Sequence, residues 1–345
     1  MIHKPSYAPV LMAAGLMLLL WGAVMTWAIS AAGAVIIGYA GIRWLRDAAA
    51  ETRGEAAPGA AEPVAHATVK QEAARTVDFR MTSPWLHRFA ILVALGAFAL
   101  ILSGALVTSN DPQPAAFLRQ AHAITAVSAG ILAAALGLWF RGAGWFLLAA
   151  VVVEAALGGR SPAIGTFHAF LAQLIFAGTV AIALATSRSW RESPEQVNDS
   201  GRLSLRTLSL WALGLLIIQV GLGAAYRHKA MGVMPHIINA LLVTLVLLLL
   251  GVLVTNQYPE HGWLRPAAKL LIGITFTQVM LGMGAFITRL MMAEGTLPVV
   301  VIGVTHVAVG SLTLATTVAL TLLIRRCVSA CRSADVAADE STPSA

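Results

Sequence analysis

Charged residues are scarce in this sequence. Asp, Glu, Lys and Arg make up only 11% of the 345 residues, whereas apolar residues make up 58%. A soluble domain carries about 25% charged residues, because its surface has to face water. The composition therefore excludes an ordinary soluble domain and predicts a membrane protein.

Cysteine is equally scarce. The only two, Cys327 and Cys331, are one helical turn apart close to the C-terminus. We expect them at the cytoplasmic end of the last membrane span, where a disulfide on the outer side is excluded. We interpret both as small residues at the membrane interface.

Long apolar runs fill most of the chain. A helix needs about 20 residues to cross the hydrocarbon core of a bilayer, and such runs recur along the sequence. They are continuously apolar and lack the alternation of a membrane β-barrel, so the predicted fold is an all-α polytopic membrane helix bundle. The ten predicted spans, the fifth of them short, are 8–28, 30–46, 86–108, 118–140, 143–158, 164–187, 205–226, 235–255, 266–288 and 298–324.

The net charge of +7 comes from an asymmetric distribution of Lys and Arg. Most of these residues lie in alternate loops, which the positive-inside rule assigns to the cytoplasm. This predicts a multi-pass protein of the cell inner membrane with both termini cytoplasmic. The basic residues then indicate the membrane topology and contact with membrane lipid, and a nucleic-acid partner is not expected. The basic residues on the outer side are Arg119, Arg160, Arg227, Lys229 and Arg289.

Two modules are predicted, joined by a polar segment. Residues 47–83 have few large apolar side chains and cannot fold alone, so we expect a disordered cytoplasmic linker. Because a second apolar run follows the first at once, residues 1–46 are interpreted as a retained transmembrane hairpin and not as a cleaved signal. The predicted order is the hairpin (1–46), the linker (47–83), a four-helix half (84–187), a cytoplasmic loop (188–204), a second four-helix half (205–326) and a cytoplasmic tail (327–345).

A short pattern repeats in the eight-helix module: Gln or Glu four residues before a glycine, near the outer end of an outward-going helix. Small residues let helix backbones approach closely in lipid, and two halves built on one plan suggest a duplication. The first helix keeps the glycine, Gly104, but has Leu100 at the polar position. The other examples are Glu154 with Gly158, Gln219 with Gly223 and Gln278 with Gly282.

Each returning helix carries one histidine near its outer end. At about 1.5 Å rise per residue these histidines share one depth in the membrane. A single membrane histidine is more often a hydrogen-bonding residue than a ligand, but four in one layer indicate a functional site. They are His122, His168, His236 and His306.

Haem is the ligand that this layer favours. Neutral imidazole binds haem iron well, and two facing histidines would clamp one haem between helices. Zinc and copper also bind imidazole, but we expect no cysteine or carboxylate in the layer to complete their coordination. The histidines are therefore candidate iron ligands.

Arginines on the outer side are candidates for binding the anionic propionates of haem, since Arg pairs with carboxylates through two hydrogen bonds. Arg119, Arg227 and Arg289 are placed for this role. The alternative, that each is an interfacial anchor, stays open. Among the other histidines, His228 in an outer loop could meet a haem propionate or be solvated, and we favour solvation; we expect His261 to lie in a solvent-side segment.

Several motifs resemble the haem A synthase family, over about residues 84–326. They include Leu86 to Ala90 with Ser103 to Ser109, Thr166 to Gln173, Gln219 to His228, Pro235-His236, and Gly282 to Arg289 with Thr305 to Gly310. The four-histidine placement is the most specific part of the resemblance. The N-terminal hairpin would be an addition to the family's eight helices.

The resemblance implies an oxidoreductase that converts haem O to haem A for cytochrome c oxidase biogenesis. His236 and His306 would ligate a haem b, and His122 and His168 would hold the substrate haem near the periplasmic face. Haem O synthase and cytochrome oxidase subunits would be the protein partners. The oligomeric state, a homo-oligomer included, stays open.

Some residues depart from the family pattern. The family has a glutamate three residues before its first ligand, where this chain has Arg119. The departure favours an alternative, a non-catalytic dihaem b-type cytochrome or a haem-carrying oxidase assembly factor. A transporter built from inverted repeats is disfavoured, because each half has an even number of spans and the polar residues gather near one face.

Overall fold

The fold of the chain is almost entirely helical. The computed structural model describes residues 27–52, 84–110, 115–139, 143–157, 161–192, 194–199 and 203–329. Within these ranges seven helices are long and apolar enough to cross a membrane, and sheet is nearly absent. This confirms the predicted all-α polytopic bundle. Of the first predicted span, 8–28, residues 8–26 lie outside the described residues, and 27–28 belong to the next helix.

The helices follow the predicted apolar runs, mostly with longer ends. The short predicted span is a helix of 15 residues, only about 22 Å long at 1.5 Å per residue. In chain order the elements are α1 (Trp27–Thr52), α2 (Pro84–Ser109), α3 (Ala116–Trp139), α4 (Ala143–Leu157), α5 (Pro162–Ala185), α6 (Arg188–Arg191), β1 (Val197–Asn198), α7 (Leu205–Arg227), α8 (Met234–Gln257), α9 (Leu264–Met291), α10 (Leu297–Cys327) and β2 (Val328–Ser329).

Proline marks the start of three helices that carry the histidines. Pro162, Pro235 and Pro298 occupy the first turns of α5, α8 and α10. Proline is favoured there because its fixed φ suits the helix and its missing N–H would have no intrahelical partner. The proline therefore sets where each helix begins, and with it the depth of the histidine that follows.

Helices α2 to α5 and α7 to α10 form two rings of four. Contacts run around α2, α3, α4 and α5 in one half, and around α7, α8, α9 and α10 in the other. The halves meet through the first and fourth helices of each ring, with α2 against α10, α5 against α7, and α5 against α10. The second and third helices of each half lie on the outside of the assembly.

Apolar packing is concentrated inside each half. A large buried cluster fills the second ring, including Leu247, Leu250 and Leu314, which are completely buried. Phe98 on α2 and Phe176 on α5 pack with ring centroids 5.4 Å apart, in a cluster that reaches the second half through Ala315 on α10. Many large apolar side chains point outward, as expected where lipid is the solvent.

A small structure closes the ends of the helices opposite the histidine layer. The predicted loop 188–204 contains a short strand, since β1 pairs in parallel with β2 directly after α10. Tyr258 Oη donates to Asn198 O at 3.0 Å. The prediction for His261 was wrong: it is 5% exposed, and its Nδ1 accepts from the backbone N–H of Leu264 at the start of α9. His261 is buried because the predicted loop 188–204 folds over it.

The predicted linker boundary was also wrong. Helix α1 continues to Thr52, so residues 47–52 are helical and not part of a disordered linker. Alanine has the highest helix propensity, and Ala48, Ala49 and Ala50 extend the helix past the apolar run. The rest of the predicted linker, 53–83, lies outside the described residues.

Candidate functional site

The four histidines come together as two pairs. His122 on α3 and His168 on α5 have ring centroids 6.4 Å apart and ring planes at 87°. His236 on α8 and His306 on α10 have centroids 6.3 Å apart and the same angle. Each pair joins the second and fourth helices of its half. The two halves therefore carry the same geometry, and hydropathy alone did not predict this pairing.

Glycines make room for three of these rings. A Cβ at Gly104 would lie 3.1 Å from Cε1 of His122. A Cβ at Gly223 would lie 3.0 Å from the same atom of His236, and one at Gly282 would lie 3.1 Å from that of His306. The repeated glycine was interpreted as a point of close backbone approach. The structure corrects this, since what approaches the glycine is an imidazole ring.

His236 is held by a chain of side-chain amides. Gln219 Nε2 lies 3.0 Å from His236 Nδ1 and donates to the His236 carbonyl at 3.0 Å. Asn239 Nδ2 in turn donates to Gln219 Oε1 at 2.8 Å. The sequence pattern identified Gln219 but not Asn239. Its position three residues after the histidine, on the same helix face, was the available signal.

His306 is less firmly bonded. Gln278 Nε2 is 3.5 Å from His306 Nε2, and Gln278 also packs against Gly310. His306 Nδ1 is buried without a hydrogen-bond partner among the described residues. A buried ring nitrogen without a partner is costly and indicates that the ring is arranged for a further ligand.

His122 uses a serine where its hairpin lacks the polar residue of the pattern. Ser103 Oγ donates to Leu100 O at 2.9 Å and lies 3.0 Å from His122 Nδ1. With the hydroxyl hydrogen used in this way, the serine oxygen accepts the proton of Nδ1. Nε2 of His122 is then the unprotonated nitrogen that can bind a metal ion.

A carboxylate lies beside His168, contrary to expectation. Glu154 Oε1 is 3.0 Å from His168 Nδ1, and Glu154 is 7% exposed. The sequence analysis predicted no carboxylate in the histidine layer, although it placed Glu154 near the outer end of its helix. The repeated pattern was the signal, since Glu154 occupies the position of Gln219 and Gln278. Gly158, the glycine of this copy of the pattern, lies outside the described residues.

A cavity of about 590 Å³ opens against the first pair. His122, His168 and Glu154 line it together with Gly104. Ligand sites commonly measure about 300–1,000 Å³, so the volume is adequate for a cofactor. Its basic lining residues are Arg119, Arg227, His228 and Lys229.

Arg227 connects the halves at this end of the bundle. From the last residue of α7 it donates to Ala105 O and, at 2.6 Å, to Ser109 Oγ, both on α2. Arg119 lies in the cavity wall, as a residue that binds propionates would. Arg289 instead stacks on Tyr226, with its guanidinium carbon 5.3 Å from the ring centroid.

The prediction that His228 is solvated was wrong. His228 is half-buried and lines the cavity, and a Cβ at Gly165 would lie 2.6 Å from its Nδ1. A glycine on α5 therefore admits this ring between the halves. The sequence could not show it, because Gly165 and His228 belong to helices that meet only in the folded bundle.

The paired histidines suit haem better than a metal held by protein ligands alone. Among the described residues, no group of three or more His, Cys, Asp or Glu side chains is arranged to hold a metal ion. Haem iron needs only one or two protein ligands, because the macrocycle supplies the others. Two imidazoles on opposite sides of one metal ion, each at about 2 Å, have centroids roughly 6 Å apart. The observed separations have that size.

Comparison with known proteins gives no match that would assign a function to the site. No protein-family model matches the chain, and no curated protein matches it. The resemblance to haem A synthases therefore rests on the quoted motifs and stays a prediction.

Proposed function

We propose that this protein is a haem-binding membrane oxidoreductase of the haem A synthase type, which converts haem O to haem A for cytochrome c oxidase biogenesis. One observation carries the proposal: two histidine pairs of equal geometry occupy equivalent places in two four-helix halves. The motifs that resemble the family add the reaction and the substrate.

The two halves have different roles in this proposal. His236 and His306 hold a haem b in the C-terminal half, and His122 and His168 hold the substrate haem in the N-terminal half. The assignment is supported by the cavity, which lies against the first pair and provides space for a molecule that enters and leaves. Arg119 and Arg227 supply positive charge for its propionates.

The protein's own contribution is to bind and orient. Bound haem supplies the redox chemistry, and the side chains fix its position and exclude water. Ser103 Oγ accepts from Nδ1 of His122, whereas the Gln219 amide nitrogen donates toward Nδ1 and the carbonyl oxygen of His236. The glycines keep each ring close to its own hairpin.

The alternative, a non-catalytic dihaem cytochrome or a haem-carrying assembly factor, is favoured by Arg119 in place of the family glutamate. A carboxylate nevertheless reaches the cavity from another helix, since Glu154 and Arg119 both line it. The cavity thus retains an acidic group, which keeps the synthase as the leading proposal.

Haem extraction with mass identification tests the function. The wild type, His122→Ala and His236→Ala are purified from cells that also make haem O, with His66→Ala as a control histidine outside the layer. A synthase yields haem A or its alcohol intermediate together with haem b, and His122→Ala loses the former selectively. Haem b alone supports the carrier or cytochrome alternative. Absence of haem overturns both.

The location follows from the same proposal. The protein lies in the cell inner membrane, with the histidine layer near the periplasmic face and both termini cytoplasmic. Haem O synthase would deliver the substrate, and cytochrome oxidase subunits would receive the product. The basic residues in alternate loops support this orientation.

A further inference from the structure

The four histidines differ in the chemistry of their nearest polar neighbour. His122 faces the hydroxyl of Ser103, and His236 faces the amide of Gln219. Among the described residues only His168 has a carboxylate, that of Glu154, within 4 Å. The two otherwise equivalent pairs therefore differ in the polar group that lies beside one of their rings.

Glu154 has no evident structural reason to be acidic. It is 7% exposed and is the only ionisable residue in α4, whose sequence is otherwise apolar or glycine. A carboxylate in the membrane is costly and is retained where it has a function. It lines the cavity beside His168, and its Oε1 lies 3.0 Å from Nδ1 of that imidazole.

The second half contains a natural comparison. Gln278 on α9 occupies the place of Glu154 on α4, since each precedes the helix that bears the second histidine of its pair. Glutamine and glutamate have nearly the same shape and differ in charge. Gln278 Nε2 lies 3.5 Å from His306 Nε2, whereas Glu154 Oε1 lies 3.0 Å from His168 Nδ1. The chain thus carries an amide and an acid at equivalent places in the two halves, beside different nitrogens of the two rings.

We propose that Glu154 is a positioning residue that accepts the Nδ1 proton of His168 and directs Nε2 into the cavity. This inference rests on the proposed haem-binding function. A carboxylate behind a metal-bound histidine fixes the tautomer and increases the basicity of the ligand. A more basic ligand stabilises ferric over ferrous iron, so Glu154 would lower the reduction potential of a haem bound by His168.

Redox titration of single-haem proteins tests the inference. The full-length His236→Ala variant, reconstituted with ferric haem b, leaves only the N-terminal site. Adding Glu154→Gln there should shift the oxidised-to-reduced ratio at fixed poise at least tenfold toward the reduced form, about 59 mV for one electron. Absorbance gives the ratio, and electron paramagnetic resonance reports the axial ligands.

The matched variant should shift the haem reduction potential in the opposite direction. Gln278→Glu in the His122→Ala protein places a carboxylate beside His306, and we expect the C-terminal haem to shift toward the ferric form. The result for Gln278→Glu does not depend on whether the Glu154→Gln variant folds. A haem potential that both exchanges leave unchanged, with haem retained, overturns the role of Glu154 alone. A wild-type protein that binds no haem overturns this role together with the proposed function.

Discussion

The contact between a glycine and an imidazole is the smallest repeated feature of the molecule. It occurs in three hairpins, at Gly104, Gly223 and Gly282, with the same ring atom approached each time. A side chain at any of these positions would have to displace the histidine. The glycine and the histidine therefore act as one unit, although the chain separates them by 13 residues or more.

Replacement of Gly223 by alanine tests this unit. The new Cβ would lie 3.0 Å from His236 Cε1, and the ring has to turn away from the position that Gln219 supports. We expect haem b to bind the C-terminal half about tenfold more weakly, a change of about 1.4 kcal/mol. Titration of the apoprotein with ferric haem b measures it.

Gly214 provides the matched control in the same helix. A Cβ there meets nothing within 4 Å. Gly214→Ala should bind haem as the wild type does and stabilise α7 by up to about 1 kcal/mol through helix propensity. Equal haem affinities for Gly223→Ala and the wild type would contradict the assigned role of the glycine.

At the scale of elements, the short helix α4 depends on its approach to α3. A Cβ at Gly137 would lie 2.7 Å from the carbonyl oxygen of Gly144, so the two backbones are in contact at this hairpin. Here glycine has its usual role in membrane helices, because a small residue permits close helix packing. The contact sets the position of α4, and with it the position of Glu154.

Gly137→Ala should therefore destabilise the N-terminal half. The added methyl group meets a backbone atom, which cannot rotate away, and we expect a loss of about 1–3 kcal/mol in the free energy of unfolding. Denaturation in detergent micelles gives the value. The control in α3 is Gly130→Ala, whose Cβ would make only an ordinary contact of 3.9 Å with Val151. If both variants unfold alike, the packing argument fails.

At the scale of the whole molecule, a polar contact joins the two similar halves. Arg227 supplies it, from the end of α7 to Ala105 and Ser109 on α2. Its guanidinium also lines the cavity of the first half, so one residue links the second half to the site of the first. We expect the relative position of the halves to depend on it.

Arg227→Ala should weaken the whole bundle. A hydrogen bond to a charged group contributes about 1.5–3 kcal/mol, and the loss of this pair should lower the free energy of unfolding by at least that amount. Arg188→Ala is the comparison, since its ion pair with Glu192 is exposed and worth about 0.5 kcal/mol or less. Denaturant titration of both variants measures the difference, and equal losses would refute the bridging role.

The membrane orientation can be tested with single cysteines. In a Cys327→Ala, Cys331→Ala background, Lys229→Cys should react with an impermeant maleimide from the periplasmic side, because Lys229 follows α7 at the histidine end. Arg188→Cys, at the opposite end of the bundle, should react only after the membrane is opened. Both side chains are exposed, so access depends on the side of the membrane. The reverse pattern would invert the proposed topology.

The sequence alone determined the helical spans and the depth of the four histidines. Span length follows from bilayer thickness, and depth follows from the rise per residue, and both can be counted along one helix. It also identified Gln219, Gln278 and Glu154 as members of one pattern. The assignment of the histidines to haem remains a prediction, since it depends on chemistry that the residues only suggest.

Only the tertiary structure decided which histidines face each other, that Glu154 reaches His168, that His228 enters between the halves and that Arg227 bonds to α2. These contacts depend on the order of helices around each ring and on how each helix is rotated. Hydropathy does not encode either property where almost every face is apolar. Packing sets both, through small residues such as Gly165 that admit one particular neighbour.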